Sequence, residues 1–222
     1  MGQLKKLVPK QARNRIFESV DPYLPEGSFI RKHFANAISV SGALLVVSGA
    51  VADAKGHEKI GMVMRGVGET ADDFDGDSSR RLNTDGHTGA LVDSVLDKIK
   101  IAMEVTVLWK HTSSMFGPES YDRKKRLSVI AGKHIVNASL NTYITARGQE
   151  AHSSTSGQVN MWMDGLTIGF WGIADVSESQ SIKTTTNTIG NIAFSAGLLT
   201  GAASIYGYAV QAIDSHNQTE LF

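Results

Sequence analysis

Eighteen consecutive residues without a charge, Phe34 to Val51 (FANAISVSGALLVVSGAV), constrain this chain more than any other feature. As a helix they would rise roughly 27 Å, close to the ~30 Å of a bilayer's hydrocarbon layer. The segment is therefore a candidate membrane span, and its rival reading is the buried core helix of a soluble bundle. Composition leans towards the rival, because the mean hydropathy of −0.11 is what a soluble protein shows. The first apolar run begins only after residue 33, so no amino-terminal signal sequence is expected. Ahead of it, residues 1–32 carry Lys5, Lys6, Lys10, Arg13, Arg15, Arg31 and Lys32 against Glu18, Asp21 and Glu26. Such a segment is either a solvated basic helix or a membrane-surface segment that orients the span after it.

Further apolar stretches at helical spacing follow at 60–68, 90–109, 127–146, 159–176 and 189–210, with strand signals scarce. Polar connectors are expected at 111–126, 148–157 and 177–187. Several of the stretches hold charges, among them Arg65, Asp93, Asp97, Lys98, Lys100 and Glu104. Each would cost ~3 kcal/mol at the centre of a spanning helix. Such groups must face a polar cavity, sit near an interface, or belong to a protein outside the membrane. Gly190, Phe194, Gly197, Gly201 and Ser204 leave room for close helix–helix approach in the last stretch. These patterns predict an all-α fold of about six helices.

Bulk charge and cysteine content exclude other classes. Lys plus Arg and Asp plus Glu both total 22, which argues against a globally basic nucleic-acid binder. The absence of cysteine removes disulfides, thiolate metal sites and a cysteine nucleophile.

The chemistry concentrates in residues 72–97, DDFDGDSSRRLNTDGHTGALVDSVLD. Asp72 and Asp75 stand three residues apart and Asp93 and Asp97 four apart, so on two helices each pair shares a face. Four carboxylates brought together repel unless cations neutralise them, and hard oxygen ligands select Mg²⁺, Mn²⁺ or Ca²⁺. Two such ions suit transfer at a diphosphate. Gly76 and Gly89 remove side chains where a nucleotide would approach the backbone, and Arg80, a turn beyond Gly76, suits a diphosphate oxygen. An EF-hand loop does not fit, because Ala71 and Leu82 occupy positions that would need an acid and a glutamate.

The segment resembles the signature of the CDP-alcohol phosphatidyltransferases, D-x2-D-G-x2-A-R-x8-G-x3-D-x3-D, at every spacing, with Ser79 in place of the family's alanine. Weaker likeness extends along most of the chain. Asn36-Ala37-Ile38-Ser39 is similar to the family's Pro-Asn-x-Ile-Thr, with Ala35 for the proline, and Asp97-Lys98 matches a frequent Asp-Lys pair. Ser156-Gly157-Gln158 is similar to the Ser/Gly-Gly-Lys that opens the fifth span, with Gln158 for the lysine.

The resemblance implies a six-helix, transmembrane-type bundle with an amino-terminal amphipathic, juxtamembrane segment. It reads as one domain over 1–222, with the juxtamembrane part at 1–32 and the bundle at 33–213. It implies two Mg²⁺ or Mn²⁺ ions on Asp72, Asp75 and Asp93, with Asp97 sharing one and acting as general base. Gly76, Ser79, Arg80 and Gly89 would line the CDP pocket. The implied reaction joins CDP-diacylglycerol to a small alcohol with release of CMP, glycerol 3-phosphate first as acceptor and inositol phosphate second. The expected setting is an integral membrane homodimer with a cytoplasmic active site. The rival is a soluble or inactive bundle of the same fold that binds divalent cations without turnover. Lys133 is left with two readings, an interior group meeting an acceptor phosphate or a side chain snorkelling to the interface.

Overall fold

The computed structural model describes residues 10–82, 87–115, 117–149 and 154–219. Among them are seven α-helices and no strand: α1 (Lys10–Val20), α2 (Phe29–Ala54), α3 (Glu58–Leu82), α4 (His87–Ser114), α5 (Pro118–Ala146), α6 (Thr155–Val176) and α7 (Gln180–Thr219). The fold is all-α as expected, six long helices preceded by a short one. The chain divides into two compact units, Met1–Val107 and Leu108–Phe222.

In the first unit, α1 and the turn after it dock on the start of α2. Phe17 and Leu24 are buried, with Val20 and Phe34 against them, and the Phe17 and Phe34 rings meet edge to face at 6.3 Å. Arg31 ties the turn down by donating to the Leu24 carbonyl at 2.7 Å and pairing with Asp21 at 3.2 Å. Ser28 caps α2 by accepting from the Arg31 amide. After α2 the chain reverses through Gly56, whose φ of 89° few other residues adopt. Helix α3 then lies along α2. Apart from Ala43, the buried positions of α2 (Ala35, Ser39, Gly42, Val46, Gly49, Asp53) recur at alternating steps of four and three. That is the seam of helices crossing at a shallow angle.

The second unit packs α6 and α5 on α7. The expected connectors 111–126 and 177–187 are largely helical instead: residues 118–126 open α5 and 180–187 open α7. Clustered charges do not end a helix; backbone chemistry does. Helix α5 begins where Gly117 takes φ 107° and Pro118 follows at the first turn. Its basic run Arg123–Arg126 is therefore helix, not a loop. Helix α6 starts within the third expected connector, at Thr155, under a Ser154 cap that accepts from the Gly157 amide.

Polarity is inverted at several positions of these helices, although Leu108, Leu127, Ile130 and Ile144 are buried as in any core. On α3, Ile60, Val63 and Val67 are exposed while Arg65 is buried. On α4, Val95 and Ile99 face out while Lys100 and Glu104 are buried. On α5, Ile135 and Val136 face out while Lys133 and His134 are buried, and α7 exposes Ile192, Leu199 and Ile213 over a buried Ser204. In water the arrangement would be the reverse. Helix α2 and the Gln180–His216 part of α7 are long and apolar enough to cross a membrane.

Candidate active site

Both halves of the acidic segment fall on continuous helix, as the carboxylate spacing requires. Asp72, Asp75, Gly76, Ser79 and Arg80 lie on α3, and Gly89, Asp93 and Asp97 on α4. The side chains of Asp72, Asp75, Ser79, Arg80 and Asp93 lie outside the described residues, as does the chain at 83–86 that joins the two helices. Whether the four carboxylates meet is therefore argued from register.

Register is informative here. On α3 the buried positions Gly61, Arg65 and Gly68 step by four and three, and the next two steps reach positions 72 and 75. On α4, positions 93 and 97 continue in the same rhythm to Lys100, Glu104 and Val107, all three buried. Heptad spacing drifts only ~20° per two turns, so these positions share one face of each helix. The acid positions of the segment thus continue the two seams that the folded chain turns inward.

Two buried ionic groups occupy the seams beyond them. Lys100, 2% exposed, reaches back to Asp97 at 3.3 Å. The expected general base therefore sits beside a fixed ammonium on its own helix. Arg65 lies between two carboxylates from different helices: Nη1 is 3.2 Å from Asp53 Oδ2 on α2, and Nε is 3.0 Å from Glu104 Oε1 and 3.1 Å from its Oε2 on α4. Asp53 is fully buried. Charges so placed are tolerated only when paired, since desolvating each ion costs several kcal/mol.

The second unit holds its own buried node. Lys133 Nζ donates to Asn160 Oδ1 and Asp164 Oδ1, both at 2.8 Å, and to the Gly197 carbonyl at 2.9 Å. His134 Nε2 lies 3.1 Å from Asp164 Oδ2. All three ammonium protons are engaged, so of the two readings of Lys133 the snorkelling one is excluded, and an acceptor phosphate would have to compete with Asp164. Nearby, Arg123 grips Asp175 with two parallel bonds of 2.7 and 2.9 Å and stacks on Trp171. Of the tryptophans, Trp171 is core, while Trp109 is part-exposed beneath the Lys124 ammonium.

Asp53, Asn160 and Asp164 were not singled out from sequence, and Glu104 was noted only as a charge within an apolar stretch. The available signal was offset: Arg65 precedes Asp72, and Glu104 follows Asp97, by seven residues each. Among the described residues no three His, Asp or Glu side chains gather as a metal site. The donor set on the two seams nevertheless fits hard divalent cations, being carboxylate throughout.

An all-α protein that turns apolar side chains outward, buries paired ions and carries two acid pairs at helical spacing is the class that fold and sequence define. The sequence pattern described as CDP-alcohol phosphatidyltransferase matches residues 32–207, most of the chain, and the chain belongs to that family. It is therefore a phosphotransferase enzyme of phospholipid biosynthesis, acting between a CDP-alcohol and an acceptor alcohol. Members of the family generally use divalent metal ions and are typically membrane-bound. No curated protein and no solved structure matches the chain in the corresponding comparisons.

Proposed function

We propose that the enzyme transfers the phosphatidyl group of CDP-diacylglycerol to a small phospho-alcohol, glycerol 3-phosphate before inositol phosphate, and releases CMP. The observation that carries this reading is the register of the acid positions. By helical register, positions 72 and 75 of α3 and 93 and 97 of α4 continue the rows that hold Arg65 and Glu104, within a chain whose family runs this class of reaction.

In this reading Asp72, Asp75 and Asp93 hold two Mg²⁺ or Mn²⁺ ions, with Asp97 sharing one. Bound there, the ions would neutralise the diphosphate and polarise the phosphorus that bears the lipid. Gly76 and Gly89 let the cytidine diphosphate approach helix backbone, Ser79 keeps the pocket wall small, and Arg80 takes a diphosphate oxygen. Asp97 accepts the proton of the acceptor hydroxyl as that oxygen forms its bond to phosphorus. The bond from phosphorus to the bridging oxygen breaks, and CMP leaves with the electron pair. Lys100, 3.3 Å from Asp97, holds the carboxylate in place.

The inverted polarity supports an integral membrane protein. Interior ion pairs remove the objection raised by low mean hydropathy, because the charges are not where lipid would be. The excess of Lys and Arg in residues 1–32 supports a cytoplasmic amino terminus, and with it a metal site at the cytoplasmic end of α3 and α4. A homodimer fits the family pattern.

The test is CMP release from CDP-diacylglycerol, with and without Mg²⁺ or Mn²⁺, across a panel of acceptors. Release that needs the metal and prefers glycerol 3-phosphate is expected. No release with any acceptor, from folded protein, would replace this reading with the inactive bundle. Asp97→Asn should lower kcat at least ~100-fold, the scale of general-base catalysis, with thermal stability close to that of the parent. Turnover that survived the change would remove Asp97 from the role.

A further inference from the structure

The contacts of Arg65 reach further than local charge pairing. Helices α2 and α3 lie against one another along their length, brought together by glycine. Helix α4 is joined to that pair through the reach of long side chains, Glu104 of α4 to Arg65 of α3, with Asp53 of α2 closing the other side of the guanidinium. The guanidinium is well suited to this, since its rigid fork meets two acceptors at fixed angles. Arg65 stands two turns before Asp72 on one seam, and Glu104 two turns after Asp97 on the other. The link therefore lies about 10 Å along the helices from the acid pairs, on the same faces. The charged groups on these seams at that level are Asp53, Arg65, Lys100 and Glu104.

We propose that Arg65, gripped by Asp53 and Glu104, is a positioning residue that sets the separation of α3 and α4 and so the spacing between the two acid pairs. The proposal rests on the reading of those pairs as the metal site. It also makes a claim about helix spacing that stands apart from metal.

Glu104→Ala is the informative cut. It severs the Glu104 link of α4 to Arg65 yet leaves Arg65 its Asp53 partner. Glu104→Gln keeps the bridge without its charge and serves as the conservative rescue. The chain has no cysteine, so spin labels at Val67→Cys and Ile99→Cys, both on exposed faces of α3 and α4, report the helix separation directly. In full-length detergent-solubilised protein, Glu104→Ala should shift or broaden the label distance distribution. It should also raise the Mn²⁺ concentration for half-saturation, read by electron paramagnetic resonance, about tenfold, the scale of lost outer-shell support. Glu104→Gln should recover most of both.

A folded Glu104→Ala protein with unchanged distances overturns the proposal, whatever its Mn²⁺ affinity. Changed distances with unchanged Mn²⁺ affinity overturn it too, since the clamp would then shape the scaffold and not the site. A parent protein that binds no Mn²⁺, but whose label distance still responds to Glu104→Ala and recovers in Glu104→Gln, supports the spacing claim and discards the metal reading.

Discussion

Glycine does different work in the two units. In the first, glycine faces backbone: a Cβ on Gly68 would stand 2.5 Å from the Gly42 carbonyl oxygen, and one on Gly49 would stand 2.6 Å from that of Gly61. Helices α2 and α3 are in backbone contact there, and backbone cannot yield as the end of a side chain can. In the second, glycine on α7 faces side chains. A Cβ on Gly190 would meet the Trp171 ring at 2.6 Å, and one on Gly201 would meet Lys133 Cδ at 2.5 Å and Asn160 Oδ1 at 2.7 Å. These glycines make room for a large or ionic group between helices. The same residue at similar spacing thus serves close approach in one place and a polar pocket in the other. What decides is the neighbour across the interface.

That contrast can be broken or sharpened by substitution, with thermal unfolding in detergent as the common measurement. The largest effect is expected from emptying the pocket. Lys133→Met leaves Asp164, Asn160 and the Gly197 carbonyl buried without their donor, and should cost about 3–5 kcal/mol. Adding Asp164→Leu should recover much of the loss. Should Lys133→Met prove near neutral, the second unit does not depend on its cation and the contrast fails.

Next comes Gly68→Ala, where the obstruction is backbone and the helices must part, at about 2–3 kcal/mol. Gly201→Ala meets side-chain atoms that can shift and should cost about 1 kcal/mol. A larger loss at Gly201 than at Gly68 would reverse the assignment of the two roles. The smallest effect, and of opposite sign, is expected at Gly66 on the exposed face of α3, where an added Cβ meets nothing within 4 Å. Gly66→Ala should stabilise by about 0.5–1 kcal/mol through helix propensity alone. A loss there would mean that this face is covered.

Much of the fold was legible because helical periodicity survives in any environment. The charge-free run at 34–51 became the centre of α2, and the small residues at 190–204 did line a helix interface, though one filled by side chains. The boundaries were less legible. Arg123–Arg126 read as a connector because charge was taken for solvent exposure, yet Arg123 is buried against Asp175 and Trp171. A carboxylate fifty-two residues away pairs with that guanidinium, and no local pattern announces such a partner. The same holds for Arg65, which looked like an interruption of a short apolar stretch and is instead a bridge between three helices.

The acid segment was legible for another reason. Carboxylates that share a helix face stand at fixed offsets, and offsets are a property of sequence. The seam beyond it was not, since Lys100 and Glu104 look like ordinary surface charges until the apolar residues beside them are seen to face outward.

By itself, then, the sequence determined the helices, the pairing of carboxylates on α3 and α4, and the family to which they belong. Each depends on covalent order and helical geometry alone. Only the tertiary structure decided which face of each helix turns inward and which distant partner neutralises each buried charge. Those outcomes depend on which helix comes to lie alongside, and an ion in a low dielectric is stable only beside its counter-ion.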